Sequence, residues 1–217
     1  MKNAWYTFCR ELCKFGCHLF LRVRPYGLEN VPRKGPVVLL SNHQSFFDPV
    51  FCGMYLTRPL HFLARDSLFR NPIFGRLIAS VNTIPVRRGE ADLSAIKRAI
   101  AVLKDDGGLV LFPEATRTAD GKIAHFKPGI GLISRRSGAS VVPVLVEGAF
   151  ECWPRHKKMF SPGARIEVHY GKALSPQQLK NMSDEELAET LTCTLRRMQK
   201  DCRIQLGKEP YQYNADE

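Results

Sequence analysis

The sequence predicts an α/β fold: a central, mostly parallel sheet flanked by helices, with an amphipathic helix at the N-terminus and another helix at the C-terminus. Short apolar runs of strand length alternate with amphipathic stretches of helix length between residues 37 and 170. The run 109–112 is apolar at every position, which is typical of a strand covered on both faces. The length of 217 residues and the apolar content of 44% suit one domain with a sizeable core.

Residues 3–23 are predicted to form the first helix, because large apolar side chains recur there at steps of three and four between basic residues. Aromatic and basic side chains on one amphipathic helix suit the interface of a lipid bilayer. A helix packed on the core of its own domain would show the same periodicity, so both interpretations stay open. Pro25 is expected to end the helix. We divide the chain into an N-terminal amphipathic helix, residues 1–25, and a main domain, residues 26–217. The expectation that residues 1–25 associate with a membrane depends on the resemblance stated below.

The other elements follow from apolar runs, from capping residues and from the glycines and prolines between them. The predicted strands are 37–40, 61–64, 82–86, 109–112, 141–147 and 165–170. The predicted helices are 49–57, 75–80, 91–104, 129–137 and 183–206. The last helix opens with Ser183 and Glu186, which have the spacing of a capping box. Gly107 and Gly108 are expected to end the helix before them, because glycine adopts the left-handed conformation without strain.

The net charge of +11 indicates an anionic partner: nucleic acid, an anionic membrane surface or a phosphorylated substrate. No signature of an RNA- or DNA-binding module is visible, so membrane and phosphate are favoured over nucleic acid. Aromatic and basic residues alternate over 150–160, which predicts either a second surface for lipid headgroups or an ordinary basic loop.

Several features bear on where the chain is found in the cell. The longest stretch without Asp, Glu, Lys or Arg is 35–47, which is too short and too polar to cross a bilayer. Charges interrupt the apolar N-terminal stretch, so no secretory signal is expected. We therefore predict a cytoplasmic protein that is bound peripherally to the inner face of the membrane.

The seven cysteines are an odd number, contain no Cys-x-x-Cys pair and stand mostly among apolar neighbours. They are expected to be reduced thiols, and neither a disulfide nor a zinc site is predicted. Cys9, Cys13 and Cys17 recur every four residues, which places them along one side of the first helix. Small core-facing residues explain this stripe better than a metal site does.

A histidine and a carboxylate stand five residues apart directly after the predicted strand 37–40. His43 and Asp48 can meet in one tight turn, where Asp48 would accept a hydrogen bond from one imidazole nitrogen and leave the other free to take a proton. The plainer interpretation is a surface loop in which Asp48 caps a helix, with Pro49 at the first helical position. A carboxylate has two oxygens, so both roles can coexist.

Four short blocks combine polar residues with the ends of predicted strands. They are Asn42-His43-x4-Asp48, Thr83-Ile84-Pro85-Val86-Arg87-Arg88, Phe112-Pro113-Glu114-Ala115-Thr116-Arg117-Thr118 and Val141-Val142-Pro143-Val144. In this order they resemble the motifs of the glycerolipid acyltransferases, the 1-acylglycerol-3-phosphate acyltransferase family. The similarity runs from about residue 26 to residue 174, so residues 26–217 are expected to form an acyltransferase domain. A single His-x4-Asp motif is weak, whereas four blocks in the family's order are specific.

The resemblance implies transfer of a fatty acyl group from acyl-CoA or acyl carrier protein to the hydroxyl of a lysophospholipid. The expected acceptor is 1-acyl-sn-glycerol-3-phosphate, and the product is phosphatidic acid. His43 would remove the hydroxyl proton, Asp48 would fix the imidazole tautomer, and backbone donors near the turn would stabilise the oxyanion. Ser45 is an alternative nucleophile, although the Gly-x-Ser-x-Gly turn typical of acyl-serine chemistry is absent from the sequence. The reaction needs no metal ion, and no cofactor besides the acyl donor.

The same resemblance suggests the residues that bind the substrate. Arg88 falls where the family has a phosphate-contacting arginine, and a guanidinium offers a planar fork for phosphate. Thr116 and Arg117 are candidates for phosphate contacts, and Lys127 falls where the family also carries a lysine. Glu114 is expected to bond the hydroxyls of the acceptor or to fix Arg117. Read from the residues alone, solvated positions on exposed turns are the more usual explanation of these side chains, and only the resemblance favours binding.

The chain departs from the family pattern at three positions. Asn82 and Ala115 stand where glycine is common, and Ala115 is expected to be tolerated because it is small. Arg87 stands where an acid is frequent, which adds positive charge near the expected headgroup site and leaves the headgroup open.

Other functions stay open as well. A different lysolipid could be the acceptor, or a hydrolase could use the same dyad with water in place of the alcohol. A non-catalytic lipid-binding or scaffold protein would explain the charge and the N-terminal helix, but not the four ordered blocks. Nucleic-acid binding ranks third, since only the charge favours it.

Overall fold

The structure, a computed structural model, describes residues 2–87 and 92–213. Within these residues the chain forms seven strands and eight helices. The strands are β1 (Arg22–Tyr26), β2 (Val37–Ser41), β3 (Leu60–Arg65), β4 (Thr83–Val86), β5 (Gly108–Leu111), β6 (Ser140–Glu147) and β7 (Arg165–Tyr170). The helices are α1 (Lys2–Phe20), α2 (Asp48–Gly53), α3 (Pro72–Ser80), α4 (Leu93–Lys104), α5 (Ile130–Ser137), α6 (Ala149–Cys152), α7 (Pro176–Lys180) and α8 (Asp184–Gln205).

These strands form one sheet in the order β1-β7-β6-β2-β5-β3-β4. Every described pair of neighbours is parallel except β6 and β7, which run antiparallel. The central strand β2 lies between β5 and β6, and these three strands consist almost entirely of buried residues. The predicted α/β fold with a mostly parallel sheet is therefore confirmed.

Two cores cover the two faces of the sheet, because successive residues of a strand face opposite sides. In β2, Val37 and Leu39 pack in the core on the side of α1, α2 and α6. Val38 and Leu40 pack on the other side, with residues of α4, α5, α7 and α8. A strand covered on both faces must be apolar throughout, which explains the uninterrupted apolar runs of the sequence.

The N-terminal region differs from its prediction. α1 ends at Phe20, before the predicted end of the first helix at residue 23. Residues 22–26 form the edge strand β1, which pairs in parallel with β7. Pro25 is compatible with this position, because an edge strand has one side on which no ladder donor is needed. Residues 22–26 show no strong alternation of apolar and polar side chains, so the sequence itself does not indicate a strand. The strand conformation depends on pairing with β7, which lies far along the chain.

α1 packs one stripe against the domain and exposes another. Tyr6 and Cys17 are buried. The exposed large apolar side chains of the helix are Trp5, Phe8, Leu12, Phe15, Leu19 and Phe20. The helix therefore rests on its own domain and still carries an uncovered apolar face. The role of residues 1–25 as a membrane-associating unit stays a prediction.

In the part of the chain that the structure describes, no helix combines the length and the apolar content that crossing a bilayer requires. Most other predicted elements lie within a few residues of their observed bounds. α3 begins earlier than expected, at Pro72, because the Asn71 side chain caps it. The capping box at Ser183 is confirmed. After α4, Asp106 is the residue with a left-handed backbone conformation, with φ 53°. The two glycines that follow it, which were expected to adopt this conformation, have no positive φ.

Candidate active site

The segment that joins β2 to α2, residues 42–48, is called the dyad turn below. β2 runs parallel to both β5 and β6, so the segments that follow these three strands leave the sheet at the same edge. The dyad turn therefore lies at the carboxyl edge of a central strand, where open α/β sheets bind their ligands.

His43 and Asp48 are in direct contact within this turn. The imidazole Nδ1 lies 2.7 Å from Asp48 Oδ2. The Asp48 side chain is fully buried, and that of His43 is one-fifth exposed, at 20%. Asp48 Oδ2 also accepts hydrogen bonds from the backbone N–H groups of Gln44 and Ser45, each at 2.6 Å. The carboxylate is thus fixed against the Nδ1 edge of the ring, and Nε2 is the nitrogen left to exchange a proton.

The plainer interpretation of Asp48 as a helix cap is wrong. The N-cap of α2 is Phe47, which provides no side-chain hydrogen bond, and Pro49 lies in the first turn. The Asp48 carboxylate bonds amides that precede the helix, and it is buried, so the segment is not a surface loop. A negative charge at this helix start is nevertheless electrostatically favourable.

The segment after β5 holds the dyad turn in place. His43 N–H donates to Glu114 Oε1 at 2.9 Å, and Thr118 N–H donates to His43 O at 2.8 Å. The His43 ring stacks on Phe112, with the ring centroids 4.3 Å apart. Glu114 was expected to meet the acceptor or Arg117. Within the described residues it bonds the backbone of the dyad histidine, and no ion pair joins it to Arg117. A contact of Glu114 with the acceptor stays a prediction.

Glu114 changes protonation near neutral pH. Burial raises the pKa of Glu114 to about 7, because a carboxylate loses solvation in the interior. Hydrogen bonds from the backbone N–H groups of His43 and Ala124 act in the opposite direction and lower this pKa. The negative charges of Asp48 and Asp120 raise the pKa further. The group that anchors the dyad turn is therefore itself titratable.

Two polar side chains tie the dyad turn to the segment around the end of β6. Asn42 Nδ2 donates to Val146 O at 2.9 Å, and Val146 N–H donates to Asn42 Oδ1 at 2.8 Å. Gln44 Nε2 donates to Gly121 O at 3.1 Å, and its Oε1 accepts from Phe150 N–H at 3.2 Å. Both side chains are buried, so the turn is anchored on each side of its histidine. Sequence reasoning missed the role of Gln44, whose signal is an uncharged polar residue next to His43, in the segment that follows a buried strand.

Most backbone N–H groups of the dyad turn already donate a hydrogen bond. The N–H groups of His43, Gln44 and Ser45 donate to the two carboxylates described above, so they are not free for an oxyanion. Within the described residues, no acceptor is found for the N–H of Phe46. Ser45 is fully buried, and its hydroxyl accepts from Phe47 N–H at 3.3 Å, which makes it unsuited to attack a lipid thioester.

A hollow of about 200 Å³ opens beside the dyad turn, and we call it the cationic hollow. It is lined by Phe46, Arg117, Trp153, Arg155 and Lys157. Phe46 belongs to the turn, and Arg117 directly precedes Thr118, whose N–H bonds the His43 carbonyl. Two guanidinium groups and an ammonium group that line one hollow with a residue of the dyad turn suit an anionic ligand group. The loop 150–160, predicted as a headgroup surface or an ordinary basic loop, thus supplies two of the three cations.

A second hollow, of about 250 Å³, has apolar walls, and we call it the apolar hollow. It is lined by Cys13, Gly16, Cys17, Phe20, Leu21, Phe47, Val50 and Phe160. Phe47 in this hollow and Phe46 in the cationic hollow are consecutive residues. The Trp153 ring stands 5.4 Å from the Phe46 ring and 4.9 Å from the Phe47 ring, measured between centroids. The dyad turn therefore separates a charged site from an apolar one.

The structure does not bring every predicted residue to the turn. Arg88 lies outside the described residues. Thr116 and Lys127 are exposed, and neither is among the described residues that line the two hollows. Of the predicted binding residues, Glu114 bonds the backbone of His43, and Arg117 lines the cationic hollow with Phe46.

Two of the departures from the family pattern share a backbone conformation. Asn82 has φ 66° and Ala115 has φ 56°, both in the left-handed region. Glycine reaches this region without strain, asparagine tolerates it and alanine is strained there. The preference for glycine at these positions therefore has a conformational cause, and Ala115 is accommodated with strain.

A histidine–carboxylate pair at the carboxyl edge of a parallel sheet lies where such sheets bind ligands, and it has the geometry of a base with its orienting group. Comparison with known proteins gives the family. A family profile described as Acyltransferase matches residues 22–147. The chain belongs to this acyltransferase family.

Named relatives are consistent with that assignment. The chain is 31% identical, over 79% of its length, to a 1-acyl-sn-glycerol-3-phosphate acyltransferase of Arabidopsis thaliana, and it spans about half, 50%, of that protein. It is 26% identical to a Bacillus subtilis protein of the same description, over 94% of this chain and 99% of the relative. The crystal structure of the 1-acyl-sn-glycerophosphate acyltransferase PlsC from Thermotoga maritima has the same fold, with a TM-score of 0.81 at 24% identity. That alignment covers 93% of this chain and 81% of the other.

Proposed function

We propose that this protein transfers a fatty acyl group from acyl-CoA or acyl carrier protein to the free hydroxyl of 1-acyl-sn-glycerol-3-phosphate, which gives phosphatidic acid. The observation that carries the proposal is the contact of 2.7 Å between His43 Nδ1 and the buried Asp48 carboxylate, at the boundary of a cationic and an apolar hollow. The acceptor is suggested by the names of the relatives, which are 1-acyl-sn-glycerol-3-phosphate acyltransferases.

In this proposal His43 Nε2 takes the proton of the acceptor hydroxyl as its oxygen attacks the thioester carbonyl. A lipid alcohol has a pKa far above neutrality, so it attacks efficiently only if its proton leaves during the attack. Asp48 accepts the Nδ1–H bond and stabilises the imidazolium that forms. The tetrahedral intermediate then collapses, the carbon–sulfur bond breaks, and the thiolate takes the proton back from the imidazolium. No metal ion and no redox cofactor enters this sequence.

The two hollows match the two chemical halves of the substrates. The phosphate of the acceptor would occupy the cationic hollow, where Arg117, Arg155 and Lys157 converge. A fatty acyl chain would occupy the apolar hollow, whose walls come from α1, from the dyad turn and from Phe160. Because Phe46 and Phe47 are neighbours on the dyad turn, both groups would lie close to His43. Arg88 is proposed as a further phosphate contact on the basis of the resemblance alone.

The exposed face of α1 would meet the membrane that holds the acceptor. Phe8, Leu12 and Phe15 are each more than half exposed, at 58%, 58% and 68%. An uncovered row of aromatic and aliphatic side chains, on a chain with a net charge of +11, suits the headgroup and acyl boundary of an anionic leaflet. The apolar hollow includes Phe20 and Gly16 of the same helix, so an acyl chain could pass from the bilayer into it.

The proposal is tested by supplying acyl-CoA and acyl carrier protein donors against a panel of lysophospholipids and separating the lipid products. We expect diacyl phospholipid from 1-acyl-sn-glycerol-3-phosphate, and loss of this product in the variant His43→Ala. The exposed His18→Ala on α1 is the matched control and should keep the activity. Free fatty acid in place of diacyl lipid would identify a hydrolase. Product formation by His43→Ala at the unmodified rate would refute the assignment of the base.

Membrane association is tested separately by sedimentation with vesicles of phosphatidylglycerol and phosphatidylcholine. Phe15→Asp should lower the vesicle-bound fraction, with a loss of affinity of roughly 10-fold or more, because burial of one Phe contributes about 1.5–3 kcal/mol. Ile204→Asp is the matched control, since Ile204 on α8 is exposed to a similar extent, 55% against 68%. Equal binding of both variants would contradict a lipid-facing α1.

A further inference from the structure

A second group of chemically reactive side chains lies away from the dyad turn. Glu167, His169 and Cys202 offer one oxygen, one nitrogen and one sulfur atom that all lie within 4.8 Å of one another. Glu167 and Cys202 are buried and His169 is half-buried. The first two residues along the chain belong to β7, and Cys202 belongs to α8. Sequence spacing did not indicate a site here, because the fold brings the three residues together from separate elements.

The geometry of the group follows from the secondary structure. Glu167 and His169 are two positions apart on β7, so their side chains leave the same face of the sheet. His169 Nε2 lies 3.1 Å from Glu167 Oε2, and Cys202 Sγ lies 3.4 Å from the same oxygen. Tetrahedral zinc ligands at bond lengths of 2.0–2.3 Å are separated by about 3.3–3.8 Å. The two separations that involve Glu167 Oε2 are thus within a few tenths of an ångström of those in a coordination sphere, and His169 and Cys202 lie within 4.8 Å of each other.

Neighbouring side chains already orient two of the three residues. Arg165 donates to Glu167 Oε1 from Nε at 3.1 Å and from a terminal nitrogen at 2.7 Å. The other carboxylate oxygen, Oε2, is thereby directed at His169 and Cys202. The Tyr26 ring stacks on His169, with centroids 4.6 Å apart and an interplanar angle of 17°. Outer contacts of this kind hold ligands in the orientation that a metal ion needs.

We propose that Glu167, His169 and Cys202 form a binding site for one Zn²⁺ ion, which links β7 to α8 and takes a water molecule as its fourth ligand. A mixed sulfur, nitrogen and oxygen donor set favours zinc over magnesium or calcium, which prefer oxygen alone. On binding, the thiol of Cys202 releases its proton to solvent, and thiolate plus carboxylate neutralise the ion. The ion stabilises the packing of the C-terminal helix on the sheet and takes no part in acyl transfer.

The test is a titration of the reduced, chelator-treated 217-residue chain with Zn²⁺ alone by calorimetry, and with Co²⁺ alone by absorption spectroscopy. We expect one high-affinity equivalent of Zn²⁺, and a thiolate-to-cobalt charge-transfer band with the strong visible bands of a tetrahedral site. At a hundredfold excess over the dissociation constant, Zn²⁺ should raise the Tm by on the order of 5 °C. The cobalt spectrum reports thiolate ligation in the unmodified chain, so it does not depend on any variant folding.

Variants assign the ligands. Cys202→Ser and His169→Gln should lower the Zn²⁺ affinity by more than the roughly 10–100-fold that loss of an outer contact costs. Arg165→Ala should fall within that smaller range, because Arg165 only orients Glu167.

The control is Cys193→Ser, because Cys193 is exposed on the same helix and bonds Glu189, which also contacts His125. Cys193, Glu189 and His125 thus bring the same three residue types together at the surface. Since the proposed site does not include them, Cys193→Ser should leave Zn²⁺ binding unchanged. Absence of high-affinity Zn²⁺ binding, a cobalt complex without the thiolate band, or loss of binding in Cys193→Ser while Cys202→Ser still binds would each overturn the proposal.

Discussion

The dyad turn and the cationic hollow share Phe46, yet their polar groups are held in different ways. In the turn, Asp48 is fully buried, and one of its oxygens lies within hydrogen-bonding distance of three nitrogens. The neighbouring side chains of Asn42 and Gln44 are buried and bonded as well. In the hollow, no hydrogen bond or ion pair to Arg117 or Arg155 is found within residues 2–87 and 92–213.

This difference fits two separate tasks. A general base must hold its geometry before the substrate arrives, and buried hydrogen bonds fix that geometry to a fraction of an ångström. A phosphate clamp does better with cations that have no carboxylate partner, because an internal ion pair would compete with the ligand. Substitutions in the turn should therefore change turnover or stability, and substitutions in the hollow should change affinity for the acceptor.

Asp48→Asn should give the largest effect, a fall in kcat of about 10³–10⁴-fold with little change in the KM of the acceptor. The asparagine oxygen at the Oδ2 position can still accept from the amides of Gln44 and Ser45 and from His43 Nδ1–H, but it carries no negative charge and stabilises the imidazolium much less. The measurement is steady-state kinetics with the acceptor varied, together with thermal unfolding to verify the fold. Asp201→Asn, an exposed acid on α8, is the control. Retention of kcat within tenfold would show that the base does not need the negative charge of Asp48.

Glu114→Gln should separate anchoring of the turn from chemistry through its pH dependence. Because the folded-state pKa of Glu114 is raised to about 7 from 4.5, its contribution to stability is fully present below about pH 4.5 and is lost as the pH rises through about 7. Gln keeps an oxygen for His43 N–H but does not titrate. Between those pH values, the free energy of unfolding should fall by on the order of 2–3 kcal/mol more in the unmodified chain than in the variant. Urea denaturation at several pH values measures this, and parallel curves would contradict it.

Arg117→Ala should raise the KM of the acceptor by roughly 10–50-fold and leave kcat nearly unchanged. This is the effect expected when one charge-assisted hydrogen bond to the acceptor is lost. Arg117→Lys should recover part of the affinity, because lysine keeps the charge but lacks the fork. Arg136→Ala, an exposed arginine on α5, serves as the control. The same kinetics on Arg155→Ala tests whether the loop 150–160 contributes. A fall in kcat with constant KM would place Arg117 in the chemical step instead.

Gly16→Phe should fill part of the apolar hollow, because a side chain at Gly16 meets no atom within 4 Å of its Cβ. We expect kcat/KM for long-chain donors to fall by about 10-fold relative to short-chain donors, since each excluded methylene contributes to binding. Gly16→Ala improves helix propensity without filling the space, so it should leave the chain-length profile unchanged. A uniform loss across donors would indicate that acyl chains lie elsewhere.

The contrast between turn and hollow also explains which parts could be predicted. His43 and Asp48 are five residues apart after a buried strand, so local geometry was enough to expect their contact. Arg155 and Lys157 reach the hollow through a loop that follows β6, and no spacing in the sequence relates them to His43. Glu114 was recognised as a site residue, but its bond to the His43 amide depends on how two loops meet.

The fold follows the same rule. Apolar periodicity is local, so the alternation of strands and helices between β2 and β7 was predictable. β1 was not, because the run Arg22–Tyr26 becomes a strand only by pairing with β7, whose residues lie far along the chain. The proposed zinc ligands likewise depend on α8 packing on β7. Contacts set by tertiary packing leave little trace in a local pattern.

Ala115→Gly should give the smallest effect, a gain in stability of roughly 0.5–1 kcal/mol. Ala115 has φ 56°, a conformation in which a Cβ destabilises the folded chain by about 1–2 kcal/mol. Glycine removes this strain, but it also raises the entropy of the unfolded chain, so only part of the strain energy appears as added stability. The converse control is Gly138→Ala: Gly138 has φ 69° and open space around its Cβ position, so the variant should lose about 1 kcal/mol from backbone strain alone. Both are measured by urea denaturation at fixed pH. A gain from Ala115→Gly without a change in kcat would mean that strain beside the dyad turn is separable from catalysis, whereas a fall in kcat would mean that the alanine helps to fix the position of Arg117.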